Sequence, residues 1–366
     1  MKKLIAILVV FALVAGAAFA ETSIGGAIET RWVIAQDNGA SGSETTTQAT
    51  IHSAMMSMSG ANDEGTWGGT LQMTWEYDGG STEAAPWAER LFVWWQPIPQ
   101  FKFQLGQDGN GLFNTANLSR WGHHRMPRGI AQEDWDAHDY LIGNYDAFGA
   151  VFMLYPIDGL AINLVLGLGG RDDNNGVGPV TFEKLFEERL MFQVAYSLAD
   201  VGTFYFTYIQ KNAFGAGWPF YSERFGFTFF SGDLVDGLAF EIGGNYDLDA
   251  TINELKFGLG VHYTADGWGV RARAKIRPIE VPAGDDWINV TADIMPFVNL
   301  DFGTLFCNIR LQTLNKDDLH WHINPYLQIG VGSGDFRIGA MIGSGTTVAT
   351  KDDIGFKLAL SMLFAF

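Results

Sequence analysis

Four basic residues alternate along one short stretch of the chain, Arg271, Arg273, Lys275 and Arg277. A spacing of two places all four side chains on one face of an extended strand. Such a row cannot do covalent chemistry by itself, but it can attract anions, because low-dielectric walls focus the field of the charges they carry. We therefore predict a basic ladder on this strand that lines an aqueous passage. The alternative is that these cations only stay hydrated and pair with carboxylates of loops.

Other basic residues take the corresponding face of their own alternating segments. The predicted pore-lining set also contains Lys256, Arg310, Arg337 and Lys357. The same assignment sends few acidic residues to that face, among them Glu29 and Glu241. The pattern thus predicts a positively charged inner wall and a mild preference for anions.

The longest connection, residues 110–139, gathers charges of both signs. Its candidate site residues are Arg120, Arg125, Arg128, Glu133, Asp134 and Asp136. A loop of this length is usually functional or disordered. We predict that it folds inward and constricts the passage; the alternative is an external surface loop.

Residues for catalysis or metal binding are poorly grouped. His320 and His322 share a strand face, but two histidines without a third ligand make a weak metal site. No G-x-S-x-G motif occurs, and glycine pairs such as Gly258 and Gly260 lack the strand-to-helix context of a phosphate loop. We predict no catalytic residue, no metal site and no cofactor.

The elements that position these residues are strands. Between positions 354 and 366, large apolar residues at even positions mostly alternate with small or polar ones, and segments 67–77, 160–168 and 255–263 repeat the pattern. Each runs for about 9 to 13 residues, the length of a tilted membrane-crossing strand. We count eighteen strands; sixteen is the alternative, because the register is ambiguous near 49–60 and 287–297.

The connections between strands also alternate in kind. Short turns rich in Asp and Gly occur at 155–159, 231–237, 263–267 and 299–303, whereas other connections are long and acidic. This predicts an all-β transmembrane antiparallel barrel with short periplasmic turns and long outer loops. Closure pairs every backbone amide in a solvent that offers no hydrogen bonds. A soluble β-sandwich would carry many charges on its outer face, whereas in this chain the acidic residues are concentrated in turns and loops. The pattern therefore argues against a soluble β-sandwich.

Composition and the first residues indicate the compartment. The chain has 41 acidic and 23 basic residues and a net charge of -18, which argues against nucleic acid as a partner. Lys2 and Lys3 precede an apolar run that ends at Ala18-Phe19-Ala20. We predict that residues 1–20 are a cleaved secretory signal peptide and that residues 21–366 form a single barrel.

A leader of this kind, repeated amphipathic strands and a last strand ending Phe364-Ala365-Phe366 resemble bacterial outer-membrane porins. The resemblance covers the architecture of the mature chain and no family-specific motif. It implies an outer-membrane location, contact with outer-membrane lipid, and Phe364 and Phe366 as the signal read by the barrel assembly machinery. It also implies the homotrimer that is common among general porins.

The predicted function is a passive diffusion channel for small hydrophilic solutes or ions, without enzymatic activity. The alternative is a barrel that displays its outer loops as an adhesin or receptor. A further alternative is an outer-membrane barrel enzyme. Measurement of channel conductance distinguishes the first function from the other two.

Overall fold

The computed structural model describes eleven ranges of the chain. These are residues 21–37, 46–76, 87–108, 147–169, 190–210, 223–232, 235–248, 255–279, 287–315, 318–344 and 354–366. The described residues form β-strands joined by turns. Within these ranges there is no apolar helix of membrane-spanning length.

Eighteen strands follow one another along the chain. The first nine are β1 (Glu21–Asp37), β2 (Thr46–Ala61), β3 (Trp67–Glu76), β4 (Trp87–Ile98), β5 (Phe101–Asp108), β6 (Ala147–Ile157), β7 (Leu160–Gly169), β8 (Leu190–Leu198) and β9 (Gly202–Ile209). The second nine are β10 (Arg224–Phe230), β11 (Leu238–Asp247), β12 (Leu255–Ala265), β13 (Trp268–Ile279), β14 (Trp287–Leu300), β15 (Gly303–Asn315), β16 (Asp318–Val331), β17 (Gly334–Ser344) and β18 (Ile354–Ala365). The count of eighteen is confirmed, because both ambiguous segments, 49–60 and 287–297, are strands.

Every strand pairs antiparallel with its neighbour in sequence, and β1 also pairs with β18. The sheet is therefore a closed barrel without free edges. At the seam, the Gly26 amide donates to the Phe366 carbonyl at 2.8 Å and the Phe366 amide donates to the Gly26 carbonyl at 2.9 Å. The Phe366 ring lies over Gly26, where an added Cβ would come 2.5 Å from Cζ of that ring.

Short turns connect the strands at one end of the barrel. The predicted turns at 155–159, 263–267 and 299–303 are present, and the predicted turn 231–237 connects β10 to β11, although residues 233–234 lie outside the described ranges. The left-handed backbone of Gly159, Gly237 and Gly267 suits a residue without a side chain. The connections at the opposite end have seven or more residues, except for the two residues 316–317 between β15 and β16. The longest of them, 109–146, includes the predicted constriction loop 110–139, which lies outside the described residues.

The two faces of the sheet differ in chemistry. On β12, Leu255, Phe257 and Leu259 are exposed, while Lys256 between them is buried. This alternation recurs on the other strands, because successive side chains of a strand point to opposite faces. The outer face of the barrel is consequently apolar, and most polar and charged side chains of the strands point inward.

Candidate functional site: the inner wall of the barrel

The basic residues of β13 lie on its inner face. Arg271, Arg273 and Lys275 are buried, whereas Trp268 and Ile276 are exposed on the outer face. Arg277, which has the same parity as the buried residues, is half-buried. The structure thus places the four side chains of the predicted ladder together along one strand.

The other predicted wall residues come from strands distributed around the barrel. Lys256 of β12, Arg310 of β15 and Arg337 of β17 are buried, and Lys357 of β18 is half-buried on the same face. Arg224 of β10 is buried there as well. Lys256 and Arg310 flank β13 and β14 on either side, so that they belong to the same sector of the wall as the ladder.

One carboxylate organises the centre of this sector. Asp293 of β14 accepts a hydrogen bond from Arg273 Nε to Oδ2 at 2.9 Å and from Arg310 Nε to Oδ1 at 2.8 Å. Asn308 Nδ2 donates to Oδ1 at 3.2 Å. The side chains of Asp293 and Arg273 are 0% exposed. Because a buried charge is stable only when it is paired and hydrogen-bonded, these four groups act as one unit.

The register explains how this unit forms. Arg273, Asp293 and Arg310 stand directly opposite one another on three adjacent strands. The row continues to His322 of β16. Directly opposed side chains in an antiparallel sheet approach closely enough for charge-assisted hydrogen bonds.

A second carboxylate also joins two cations, on strands β10 to β12. Asp247 of β11 lies 3.0 Å from Arg224 Nε through Oδ1 and 3.0 Å from Lys256 Nζ through Oδ2. All three residues are buried. Asp335 of β17 forms a third pair, in which its Oδ2 is 2.6 Å from Arg337 Nη2.

These three acidic residues of the inner face were not predicted from the sequence. The inward position of Asp293 is not evident from the alternation, because both faces of β14 are partly apolar. Its inward neighbours on that strand include Met295 and Phe297. Its position next to the apolar Ile294, which points outward, is the signal that would have placed Asp293 inward, because adjacent residues of a strand point to opposite faces. The inner wall therefore carries more negative charge than the few acids we expected.

Cations still outnumber anions in the two larger units. Asp293 is shared by two arginines, and Asp247 is shared by one arginine and one lysine. In each unit two cations thus share one carboxylate, and the buried Glu241 of β11 stands in the same row as Arg273, opposite Gly260 of β12. Arg271 is a further cation of this face: its Nε is 3.3 Å from His262 Nε2 and its guanidinium lies 5.4 Å from the centroid of the Phe297 ring.

The inner wall also has apolar parts that the alternation did not predict. Val151, Val165, Met191 and Ile209 stand opposite one another in a single row from β6 to β9 and are almost completely buried. Near the short-turn end, the Phe306 and Tyr326 rings stack at 4.8 Å with an interplanar angle of 10°. The wall is thus divided into charged, apolar and aromatic sectors.

The histidines of β16 occupy the predicted common face. His320 and His322 are both buried on the inner side, beside Gln312 and Arg310 of β15. In the described part of the chain, no three His, Cys, Asp or Glu residues are grouped so that they could hold a metal ion.

Several predicted site residues lie where the structure gives no description. These are Arg120, Arg125, Arg128, Glu133, Asp134 and Asp136, together with residues 1–20. The terminal aromatics are described: Phe364 is exposed on the outer face of β18, and Phe366 follows the strand and is 72% exposed.

Comparisons with known proteins reveal similarity at the level of fold. No protein-family model matches the chain, and no curated protein matches it in sequence. A BenF-like porin from Pseudomonas fluorescens Pf-5 superposes with a TM-score of 0.59 at 10% identity, covering 95% of this chain and 99% of the porin. Salmonella typhi OmpF, in a complex with daunomycin, gives 0.54 at 10% identity over 94% and 97%. A substituted Rh. blastica porin gives 0.52 at 12% identity over 94% and 100%.

These solved structures resemble the chain along nearly its whole length. Because their sequences are only 10–12% identical to it, the likeness concerns the fold alone. The chain is a closed antiparallel barrel of eighteen strands that resembles bacterial porins in architecture.

Proposed function

We propose that the protein is an outer-membrane porin, a passive diffusion channel for small hydrophilic solutes or ions. The observation that carries this proposal is the division of the closed barrel into an apolar outer face and a charged inner wall. An apolar belt fits a bilayer, whereas buried charges on the opposite face need water or counter-charges inside the barrel. A soluble monomeric protein rarely exposes so many large apolar side chains.

The proposal includes a route to the outer membrane. Residues 1–20 act as a cleaved export signal, and the mature chain begins at Glu21, the first residue of β1. The assembly machinery then recognises the last strand through Phe364 and Phe366. Both side chains are exposed on the outside, where a binding partner reaches them. The homotrimer of general porins is the assembly we propose.

Anions are favoured mildly by the wall. In the Asp293 and Asp247 units two cations share one carboxylate, and Arg271 and Lys275 of β13 add cations to the same face, where Glu241 is a further buried acid. Charges on the wall act on every ion that passes, whereas the many acidic residues at the ends of the barrel are screened over about 8 Å at physiological salt. The net acidity of the chain therefore has little influence inside the pore.

The constriction is formed by residues 110–139 in this proposal. The apolar inner row that begins at Val151 gives an inward segment a surface against which to pack. Val151 belongs to β6, the strand that follows the connection 109–146. An inward loop in this position narrows the passage next to the charged sector.

Single-channel recording in planar bilayers tests the function directly. A diffusion pore produces steady current steps that increase linearly with voltage. A silent barrel contradicts the proposal and favours a barrel that displays its loops as an adhesin or receptor. Hydrolysis of lipid or peptide substrates by the purified protein favours a barrel enzyme instead.

A further inference from the structure

A cavity of about 510 Å³ opens on the inner wall near the short-turn end of β1 to β4. Its lining includes Ser23, Ser59, Thr70, Ala61 and Trp94. The volume falls within the range of roughly 300–1,000 Å³ that is usual for small-molecule sites. None of the described residues that line it carries a charge, in contrast to the sector around Asp293.

Three hydroxyl groups form a row along one side of the cavity. Ser23, Ser59 and Thr70 stand opposite one another on β1, β2 and β3. The Ser23 and Ser59 oxygens are 2.7 Å apart. Each hydroxyl both donates and accepts hydrogen bonds, and its hydrogen rotates to suit the partner. The row therefore offers adaptable polar contacts without formal charge.

An aromatic plane lies beside this row. Trp94 of β4 pairs with Gly68 of β3, two residues along that strand from Thr70. A Cβ on Gly68 would approach the indole atoms Cζ2 and Cε2 to 2.8 and 2.9 Å, so the ring occupies the space that a side chain would need. The Lys102 ammonium lies 4.7 Å from the indole centroid. The ring is thus held between two neighbouring strands.

We propose that this cavity binds a neutral polyhydroxylated solute, such as a monosaccharide, a disaccharide or a sugar alcohol. The solute's hydroxyl groups exchange hydrogen bonds with Ser23, Ser59 and Thr70. Its C–H face packs against the indole, whose face carries partial negative charge. The hydroxyl row gives a charged solute no counter-charge, and the Lys102 ammonium, which belongs to β5, lies over the indole and not in this row.

This inference rests on the proposed function, because the solute reaches the inner wall through the pore, and it names the class of solute. The cavity lies at the short-turn mouth of the barrel. A solute bound there has either already passed the charged sector or has yet to reach it, depending on the direction of diffusion. Residence at a weak site raises the local concentration of the solute without blocking its exit.

Two independent readouts test the inference, both with maltose as the probe. The first is saturation-transfer NMR on the full barrel extracted in detergent, which reports binding whether or not the barrel conducts. The second is the current through single channels during a maltose titration. We expect saturable binding, weakened by roughly tenfold in Trp94→Ala and weakened to a smaller extent in Thr70→Val. Trp95→Ala, which truncates the adjacent but outward-facing indole, is the matched control and leaves binding unchanged.

The outcomes separate the site from the function. A barrel that conducts but shows no saturable maltose binding overturns the site and leaves the porin intact. A barrel that binds maltose but stays silent contradicts the porin and supports the site. Tighter binding of gluconate than of maltose overturns the assignment to a neutral solute. If Trp94→Ala fails to fold, Trp94→Phe and Thr70→Val provide the test, and wild-type affinity in both overturns the inference.

Discussion

Replacement of Asp293 by Asn removes the charge that two buried arginines share. Asn has the same shape and keeps one oxygen as an acceptor, so the change is mainly electrostatic. Arg273 and Arg310 lie 2.9 and 2.8 Å from the carboxylate, and the Arg273 and Asp293 side chains are 0% exposed. Removing one partner of a buried ion pair costs about 3–5 kcal/mol, because the remaining charge has lost its compensation. We expect the free energy of unfolding of Asp293→Asn to fall by that amount.

The same change should increase the preference for anions. Two arginines without their shared carboxylate raise the positive charge of the wall by one. A unit charge ~10 Å from a passing ion contributes about 0.4 kcal/mol in water, which is about a twofold effect on each ion and up to about fourfold on the anion-to-cation ratio. At about 0.01 M salt, where the screening length is roughly 30 Å, most of this effect persists.

Both consequences are measurable on purified barrel. Urea titration in detergent, followed by the heat-modifiable gel mobility of the folded barrel, gives the loss of stability. The reversal potential under a salt gradient gives the ion preference. Asp301→Asn is the matched control, because it removes the same charge from an exposed turn; we expect a stability change within about 0.5 kcal/mol. If Asp293→Asn unfolds at the wild-type urea concentration and keeps the wild-type reversal potential, our reasoning about the shared carboxylate is wrong.

Three further predictions concern assembly, selectivity and pore size. Phe366→Asp should be exported but not inserted, because the last strand loses the aromatic end offered to the assembly machinery; outer-membrane fractionation measures this. The double variant Arg271→Glu, Lys275→Glu should shift the reversal potential toward cations, because it reverses two charges of the wall. Deletion of residues 110–139 should raise the unitary conductance, since a constriction dominates the resistance of a narrow pore.

Each of these predictions has its own control. Phe302→Asp changes an exposed aromatic in a short turn, and equal loss of insertion there would show that Phe366 has no special role. Arg271→Lys, Lys275→Arg keeps both charges; if it moves the reversal potential as far as the glutamate variant does, charge is not the cause. Unchanged conductance after the deletion would place residues 110–139 outside the passage.

The strands and their faces were predictable because both depend on local order. Alternation at period two marks a strand wherever one face is apolar, and it assigned Arg271, Lys256 and Arg310 to the face on which the structure places them. Short Asp-Gly turns marked one end of the barrel, since their backbone geometry is encoded in a few adjacent residues. The number of strands followed from counting these units.

The partners of the charged groups were not predictable, because they depend on register between strands. Asp293 is twenty residues from Arg273 and seventeen from Arg310, and a shift of one residue in either pairing would remove the arginine of that strand from its position opposite Asp293. The sequence orders these residues along the chain but does not state which of them stand opposite one another. Turn lengths, bulges and closure of the whole sheet determine that together.

Closure and register also created the features for which the sequence held no signal. Gly26 meets Phe366 because the first and last strands pair, although they are separated by almost the whole described length of the chain. Ser23, Thr70 and Trp94 line one cavity because β1 to β4 are adjacent and in register. Local alternation determines which way a side chain points, and the registered, closed sheet determines what it meets there.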